Sequence, residues 1–476
     1  MSAQASAAVT PDVALKGDNS YFRAGVYSRN FKKNETELGR LGNENDNWFE
    51  LAPQVTLAEV DGVEYRLVSS IGMSPEGNNG YGNDFSGERY SSYDAEVVAK
   101  TQDMGIYLTQ AYIKVNGLLD SDKEASIWVG RKYIREDSHI VDNKWRDVSG
   151  TSVGIENLSL GLGKLRTNWT RRDSSTKFDS KFDGYETLPY GMNVIYDTTN
   201  PYNRTVKIAT PSRITNNIFD VAYRFPVASD TYLDLGYTLV APQRYAAEYS
   251  NYGFKVKDEI GNSHLFTSRL DTKLFGNTNN TTVLRFVKGS TAEGGFTSHT
   301  YTVNSQDDSS YTVDLIDFGC VNFTDNFNML YHTWFNFSKL KNSIGTNDNE
   351  TTSRSFQVVL RPQYKLTKMT RLVLETAMFT QTESTVDFKG DDKSANKQGQ
   401  KLTLAYAITP DAGFAMSRPE IRFFGTYKHY NHEHDRVGTY ETSYALKNKS
   451  TSKIEDPFYD GRKTEFYFGV QAESWF

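Results

Sequence analysis

Apolar and polar positions alternate along most of this chain with a period of two, the pattern of strands with one greasy and one wet face. The plainest run closes the chain. Over 464–476 one face carries Phe466, Phe468, Val470, Ala472, Ser474 and Phe476, and the other Glu465, Tyr467, Gly469, Gln471, Glu473 and Trp475. Near the start, Phe22, Ala24 and Val26 alternate with Tyr21, Arg23, Gly25 and Tyr27, and Phe49 and Leu51 with Trp48 and Glu50. Further runs of this kind cover 126–131, 158–169, 218–225, 232–240, 282–287, 312–318, 327–337, 356–365, 370–380, 401–407 and 419–430. Together they predict an all-β chain of about 18 strands.

The connections have two lengths. Tight links at 57–62, 225–230, 275–280 and 366–370 alternate with long polar segments at 30–47, 73–103, 173–216, 241–262, 288–310, 342–353 and 431–463. Hairpins with one short-looped rim and one long-looped rim give that rhythm, as in a transmembrane β-barrel with short periplasmic turns and long external loops. The polar segment 1–16 reads as an N-terminal tail and 17–476 as the barrel.

Composition decides between a barrel and a soluble sandwich. The chain has 476 residues. Its apolar share, counted with Gly and without Tyr, is about 39%, below the roughly 45–50% usual for a soluble globular chain. Aromatics nonetheless make up 13%, which argues against disorder. So many strands with so few aliphatic residues cannot fill a closed interior, whereas a barrel of that size encloses a watery lumen. The apolar faces then point outward into lipid, where closure is obligatory because unpaired backbone groups find no water. The sequence thus predicts an 18-stranded antiparallel transmembrane β-barrel, a porin, with at least one loop folded into its lumen.

Other classes fall away. No apolar run is long enough for a transmembrane helix. A net charge of −6 does not provide a broad basic footprint for nucleic acid. The single cysteine, Cys320, precludes an intrachain disulfide and a multi-cysteine metal site, and it reads as a small apolar residue. The start, 1–16, lacks the apolar core of a signal peptide. His429, His432, Glu433, His434 and Asp435 have the chemistry of metal ligands without a fixed spacing, and read as a solvated loop. No metal or cofactor is expected. Neither a nucleophile elbow nor a catalytic carboxylate pair is present in convincing context, so a barrel enzyme is the weaker alternative.

Some residues break the pattern on the wet face. Parity places Tyr21, Trp48, Met416 and Trp475 beside polar neighbours such as Arg23, Glu50 and Arg418. Large apolar side chains on a water-facing wall suit the C–H face of a sugar ring, with charged residues bonding its hydroxyls. A second cluster, Arg135, Asp137, His139, Asp142 and Lys144, lies in the charged segment 133–147. It reads as a loop folded into the pore, where charged side chains form a constriction.

The residues Tyr21-Phe22-Arg23-Ala24-Gly25, Leu41-Gly42-Asn43-Glu44, Ile127-Trp128-Val129-Gly130 and Gly154-Ile155-Glu156-Asn157 resemble the maltoporin family of sugar-specific outer-membrane porins. So do Gly161-Leu162-Gly163-Lys164-Leu165, Arg361-Pro362, Ser417-Arg418-Pro419-Glu420-Ile421-Arg422-Phe423 and Phe468-Gly469-Val470-Gln471-Ala472-Glu473 with Trp475. The resemblance implies a homotrimer of 18-stranded barrels in the outer membrane of a Gram-negative bacterium. Each barrel would pass an oligosaccharide or disaccharide along an aromatic slide. By resemblance, Tyr21, Trp48, Phe266 and Trp475 fall on slide positions, with Met416 in place of a slide tryptophan. Arg23, Arg40, Glu50, Arg135, Asp137 and Asp142 fall on the polar track. His139 and Asp142 match the constriction, and Lys144 stands where the maltoporins narrow the channel with a tyrosine. The alternative is a general diffusion porin without saturable sugar binding.

Overall fold

The computed structural model describes residues 12–14, 20–28, 38–44, 48–75, 104–141, 143–183, 194–196, 205–242, 261–274, 278–292, 308–342, 349–386, 392–431 and 464–475. Among these the regular elements are almost all strands: β1 (Asp12–Ala14), β2 (Tyr21–Tyr27), β3 (Trp48–Leu51), β4 (Gln54–Val60), β5 (Val63–Pro75), β6 (Met104–Asn116), β7 (Ser126–Lys132), β8 (Arg135–Ser138), β9 (Asn143–Asp147), β10 (Gly150–Leu160), β11 (Gly163–Asp183) and β12 (Val194–Tyr196). The second half continues with β13 (Thr205–Ala228), β14 (Thr231–Pro242), β15 (Ser263–Leu274), β16 (Thr278–Gly289), β17 (Tyr311–Thr324), β18 (Phe327–Asn342), β19 (Asn349–Lys365), β20 (Thr370–Val386), β21 (Asp392–Ile408), β22 (Glu420–Tyr430) and β23 (Thr464–Trp475).

The wall is one antiparallel sheet that closes on itself, because β2 pairs with β23 from Tyr21 opposite Trp475 to Tyr27 opposite Gly469. β3 and β4 are one wall strand interrupted at Ala52-Pro53, and both pair along β5. With β1, β12 and the separate pair β8–β9 set aside, the barrel has 18 strands. The long-and-short rhythm is also as expected. At the short-turn rim Asp61 and Gly62 both have positive φ, 52° and 76°, the geometry of a two-residue hairpin turn that matches strand twist.

Two assignments change. The segment 173–216, read as a long polar connection, is largely strand, because β11 runs on to Asp183 and β13 begins at Thr205, the two pairing along that length. The run 158–169 is split by a turn at Gly161-Leu162 between β10 and β11. Leu158, Leu160 and Leu162 keep the alternation going through the turn, so periodicity alone fuses the two strands. A bulge between Ile155 and Leu158 shifts the register just before it.

The two faces of the wall behave oppositely. Outward side chains are apolar and bare, as at Val26 (75% exposed) and Phe466 (69%). Near the long-connection rim Tyr237, Phe266, Phe286, Tyr311 and Phe337 form a continuous row across five strands, with neighbouring ring centroids 4.9 to 6.4 Å apart. Phe323 and Phe327 (5.2 Å) and Tyr364 mark the other rim. Paired aromatic girdles around an apolar band are what a bilayer selects. One charge interrupts the band. Asp317 lies on the outer face of β17 midway between Tyr311 and Phe323, where it accepts hydrogen bonds from Thr282 (2.5 Å) and Asn280 (3.0 Å).

The outer row next to Asp317 supplies a test. Leu315→Arg, at the centre of the apolar band, is expected to cost about 2–4 kcal/mol in reversible folding into phospholipid vesicles. A variant as stable as the parent would contradict the assignment of this face to lipid.

Candidate functional site

The inward faces would leave a wide bore if nothing filled it. Two segments do. The hairpin β8–β9, within 133–149, hangs from the long-connection rim between β7 and β10 and lies against the inner wall. Its apolar residues pack on inward side chains of successive strands. Val148 joins Ile218, Val240, Leu265 and Val287; Trp145 joins Val283 and Ile316; Ile140 and Val141 join Leu330, Val359 and Ala377. Its charges are matched as well. Arg146 bonds Asp220 of β13 and Glu136 (3.0 Å), and Glu136 reaches Arg166 (2.5 Å) and Arg269 (3.2 Å). Burying Arg146 and Asp220 together is tolerable only because each satisfies the other.

The second segment, 38–44, follows β2 and also turns inward. Its backbone is held by Lys401, whose ammonium donates to Gly39 O (3.1 Å) and Leu41 O (2.8 Å), and by Arg40 N donating to Ile140 O (2.9 Å). Gly39 and Gly42 both have positive φ, which lets the chain double back here without strain.

With β13–β20 covered by the hairpin, open space remains along the seam where the first and last wall strands meet. A cavity of about 610 Å³ lies there, lined by Ser20, Glu50, Gln110, Tyr133, Arg135, Asp137, His139, Phe414, Met416 and Trp475. That volume is in the range of small-molecule sites, which combine apolar walls with a few convergent polar groups. Glu473 anchors one side. Tyr21 donates to it at 2.8 Å, Arg40 at 3.2 Å, Arg418 at 2.9 Å and Arg422 at 2.5 Å. Arg23 and Arg40 share Glu44 at 2.5 and 2.6 Å. Trp475 is fixed from two directions: the Arg418 guanidinium lies 4.1 Å from its ring centroid, and the His139 ring meets it edge-on at 4.8 Å. On the opposite side Arg135 lies over the Tyr133 ring at 4.7 Å.

His139 sits in the turn of the hairpin, where Arg40 donates to its carbonyl at 3.0 Å. Burial, reinforced by the Arg40 guanidinium, holds the ring well below the usual histidine range, so it is neutral at pH 7.

The sequence-predicted residues therefore converge for the most part. Arg135, Asp137, His139, Glu50, Met416 and Trp475 line one cavity, and Tyr21, Arg23 and Arg40 form the charged wall behind it. Trp48 shares the inward face of β3 with Glu50. Lys144 stands opposite Asp137 in the hairpin register. Met416 occupies the turn between β21 and β22 rather than a strand, so parity does not govern it. Asp142 and His432, Glu433, His434 and Asp435 lie outside the described residues. His429 is described, and its ring pairs with the Thr464 hydroxyl at 3.0 Å. Cys320 is half-buried against the cluster that holds Ile140.

Phe266 is a correction. Its neighbours Leu265 and Thr267 point inward and are buried, while Phe266 is 50% exposed on the outer face within the aromatic girdle. A one-residue slip in register moves a side chain to the other face, so matching by family position alone misplaces it. Sequence reasoning missed Ser20, Gln110, Tyr133 and Phe414. Gln110 lies on β6, whose alternation is broken by a bulge opposite Ser70 and Ile71. Phe414 could have been noticed as a bare ring in a Gly- and Asp-containing turn.

A closed antiparallel cylinder with an apolar exterior and a charged, partly filled bore defines a transmembrane β-barrel channel. The LamB porin model matches residues 18–476, and the chain belongs to the LamB porin family. It is an outer-membrane porin of a Gram-negative bacterium, crossing the membrane many times, and such porins are channels and not enzymes. It is 27% identical to Maltoporin 2 of Yersinia pseudotuberculosis, over 99% of this chain and 97% of that one. Identity is also 27% to Maltoporin 1 of Klebsiella pneumoniae, covering 100% and 95% of the two chains. Among solved structures, the OccAB2 protein of Acinetobacter baumannii superposes with a TM-score of 0.43 at 9% identity, covering 98% of each chain.

Two measurements probe the inner hairpin. Asp220→Ala removes one of the two carboxylates that neutralise the buried Arg146, leaving Glu136, and is expected to destabilise the barrel by roughly 1–3 kcal/mol, seen in its thermal unfolding in detergent, with added noise in the open-channel current. His139 titrates lower folded than unfolded, so the folded barrel loses stability as pH falls below about 6.5. His139→Gln should flatten that part of the stability profile between pH 6.5 and 5; an unchanged profile would mean the ring is not held neutral.

Proposed function

We propose that this porin is a sugar-selective channel in which an oligosaccharide or disaccharide descends its gradient along the seam of the barrel. The observation that carries the reading is the joint lining of one cavity by Trp475 and Met416 with Glu50, Arg135, Asp137 and His139. An apolar face suits the C–H face of a sugar, and charged groups around it suit the hydroxyls at its edge. Tyr21, Trp48 and Trp475 are the stacking surfaces of the slide. Arg23, Arg40, Glu50, Arg135 and Asp137 are the polar track. Asp137, His139 and Lys144 on the inner hairpin make the charged constriction, with Asp142 as a further member.

No covalent step is involved. The site works by holding a sugar tightly enough to guide it and loosely enough to release it. The ion pairs around Glu473 and Glu44 fix the guanidinium groups of the track before a sugar arrives, so little ordering is required on binding. Both relatives described above are named maltoporins, which supports a sugar as the solute. Three copies are proposed to assemble side by side, as the family resemblance implies.

Trp475→Ala is expected to weaken sugar block of single-channel current by about 1 kcal/mol or more. Unchanged block by every one of a panel of disaccharides and charged oligosaccharides would remove the slide and leave a general diffusion porin. Lys144→Ala is expected to shift ion selectivity toward cations, read as a change in reversal potential across a salt gradient. Indifferent selectivity would place Lys144 away from the ion path.

A further inference from the structure

The turn between β21 and β22 is the longest of the described turns on its rim, followed by the nine residues 117–125 between β6 and β7. It spans eleven residues, 409–419, where Asp61-Gly62 and Gly161-Leu162 need only two. It is also pinned throughout. Thr409 N donates to Met369 O (2.9 Å), Ala412 N to Lys368 O (2.9 Å), and Ser417 N to Phe414 O (3.0 Å). Asp411 N bonds the Ser417 hydroxyl (3.1 Å), Asn328 donates to Gly413 O (3.2 Å), and Arg371 donates to Phe414 O (2.8 Å). Ala412 and Ala415 are buried on either side. Yet Phe414, whose carbonyl takes two of these bonds, is 61% exposed and lines the same cavity as Met416 and Trp475. A bare aromatic residue beside a cavity, on a backbone pinned this closely, is a preorganised stacking platform: the ordering cost has already been met.

We propose that Phe414 is the exit contact of the solute path, a further specificity-determining residue that stacks on the apolar face of a sugar ring at the short-turn rim. This rests on the sugar-channel reading above. Phe414 and Trp475 line one cavity at its periplasmic end, so a sugar leaving Trp475 meets a second apolar surface before bulk water. The residue lies outside the strands, and neither parity nor the family positions point to it.

The test is current block of the reconstituted full-length porin by maltotriose and by sucrose, with Phe414→Ala, Phe414→Ser, Phe414→Trp and Trp475→Ala measured side by side. For whichever sugar blocks the parent channel, Phe414→Ala and Phe414→Ser should raise the half-blocking concentration about three- to tenfold. Phe414→Trp should restore parental block or tighten it. Loss in Trp475→Ala with none in either small Phe414 variant would overturn this inference and leave the channel reading intact. Unchanged block in all four variants would overturn both. Equal loss in Phe414→Ala and Phe414→Trp would also overturn it, since stacking would then be irrelevant to the effect. Both small variants keep the pinned backbone because the turn's bonds use main-chain atoms of residue 414.

Discussion

Hydrocarbon offers no hydrogen bonds to a polypeptide backbone, and this single fact shapes the molecule. A strand edge left open in a bilayer would cost several kcal/mol for each unpaired group, so the sheet has to end where it began. The pairing of β2 with β23 meets that demand. Once the cylinder is closed, parity sorts most of the wall residues. Residues at alternate positions face lipid and are bare and apolar; the remainder face the bore and carry the charge. The ion pairs that join the inner segments to the wall, such as Arg146–Asp220, and those on the wall beneath them, such as Lys401–Glu375, are buried on its inner side, where each charge is met by an opposite one.

The bore is then narrowed from within. The inner hairpin is not loosely hung. It carries apolar residues for the apolar patches of the wall at β13–β20, and charged ones for Asp220, Arg166 and Arg269. Such matching displaces the open channel toward the seam. The candidate sugar path therefore runs beside the first and last wall strands, among Tyr21, Glu50, Glu473 and Trp475, rather than along the axis.

How much of this was readable in the sequence depended on whether a residue obeys a period. Wall strands do, so 464–475 and 21–27 were assigned to the right faces from alternation alone. The inward-folded hairpin was recognisable by its charge density, since Arg135, Asp137, His139 and Lys144 make the segment too charged for a strand core and too dense for an idle loop. Where the period is broken, the reading failed for a physical cause. Leu162 carries the apolar alternation through a turn. The bulge at Ser70 and Ile71 disguises β6. The segment 38–44 is polar enough to pass for an outer loop, yet its Arg40 and Glu44 lie buried in the bore. Phe266 shows the hazard in the opposite direction, because a family position one residue out of register exchanges lumen for lipid.

The seam has one more implication. Trp475 is the last residue of the last wall strand, and Tyr21 opens the first. The proposed recognition surface is thus assembled from the first and last wall strands and does not exist until they meet. A chain halted before its final segment would be neither a leaky tube nor a less selective one, because the act of sealing the cylinder is also the act that builds its filter. Assembly and competence become a single event, and a half-finished molecule has nothing with which to let solutes through indiscriminately.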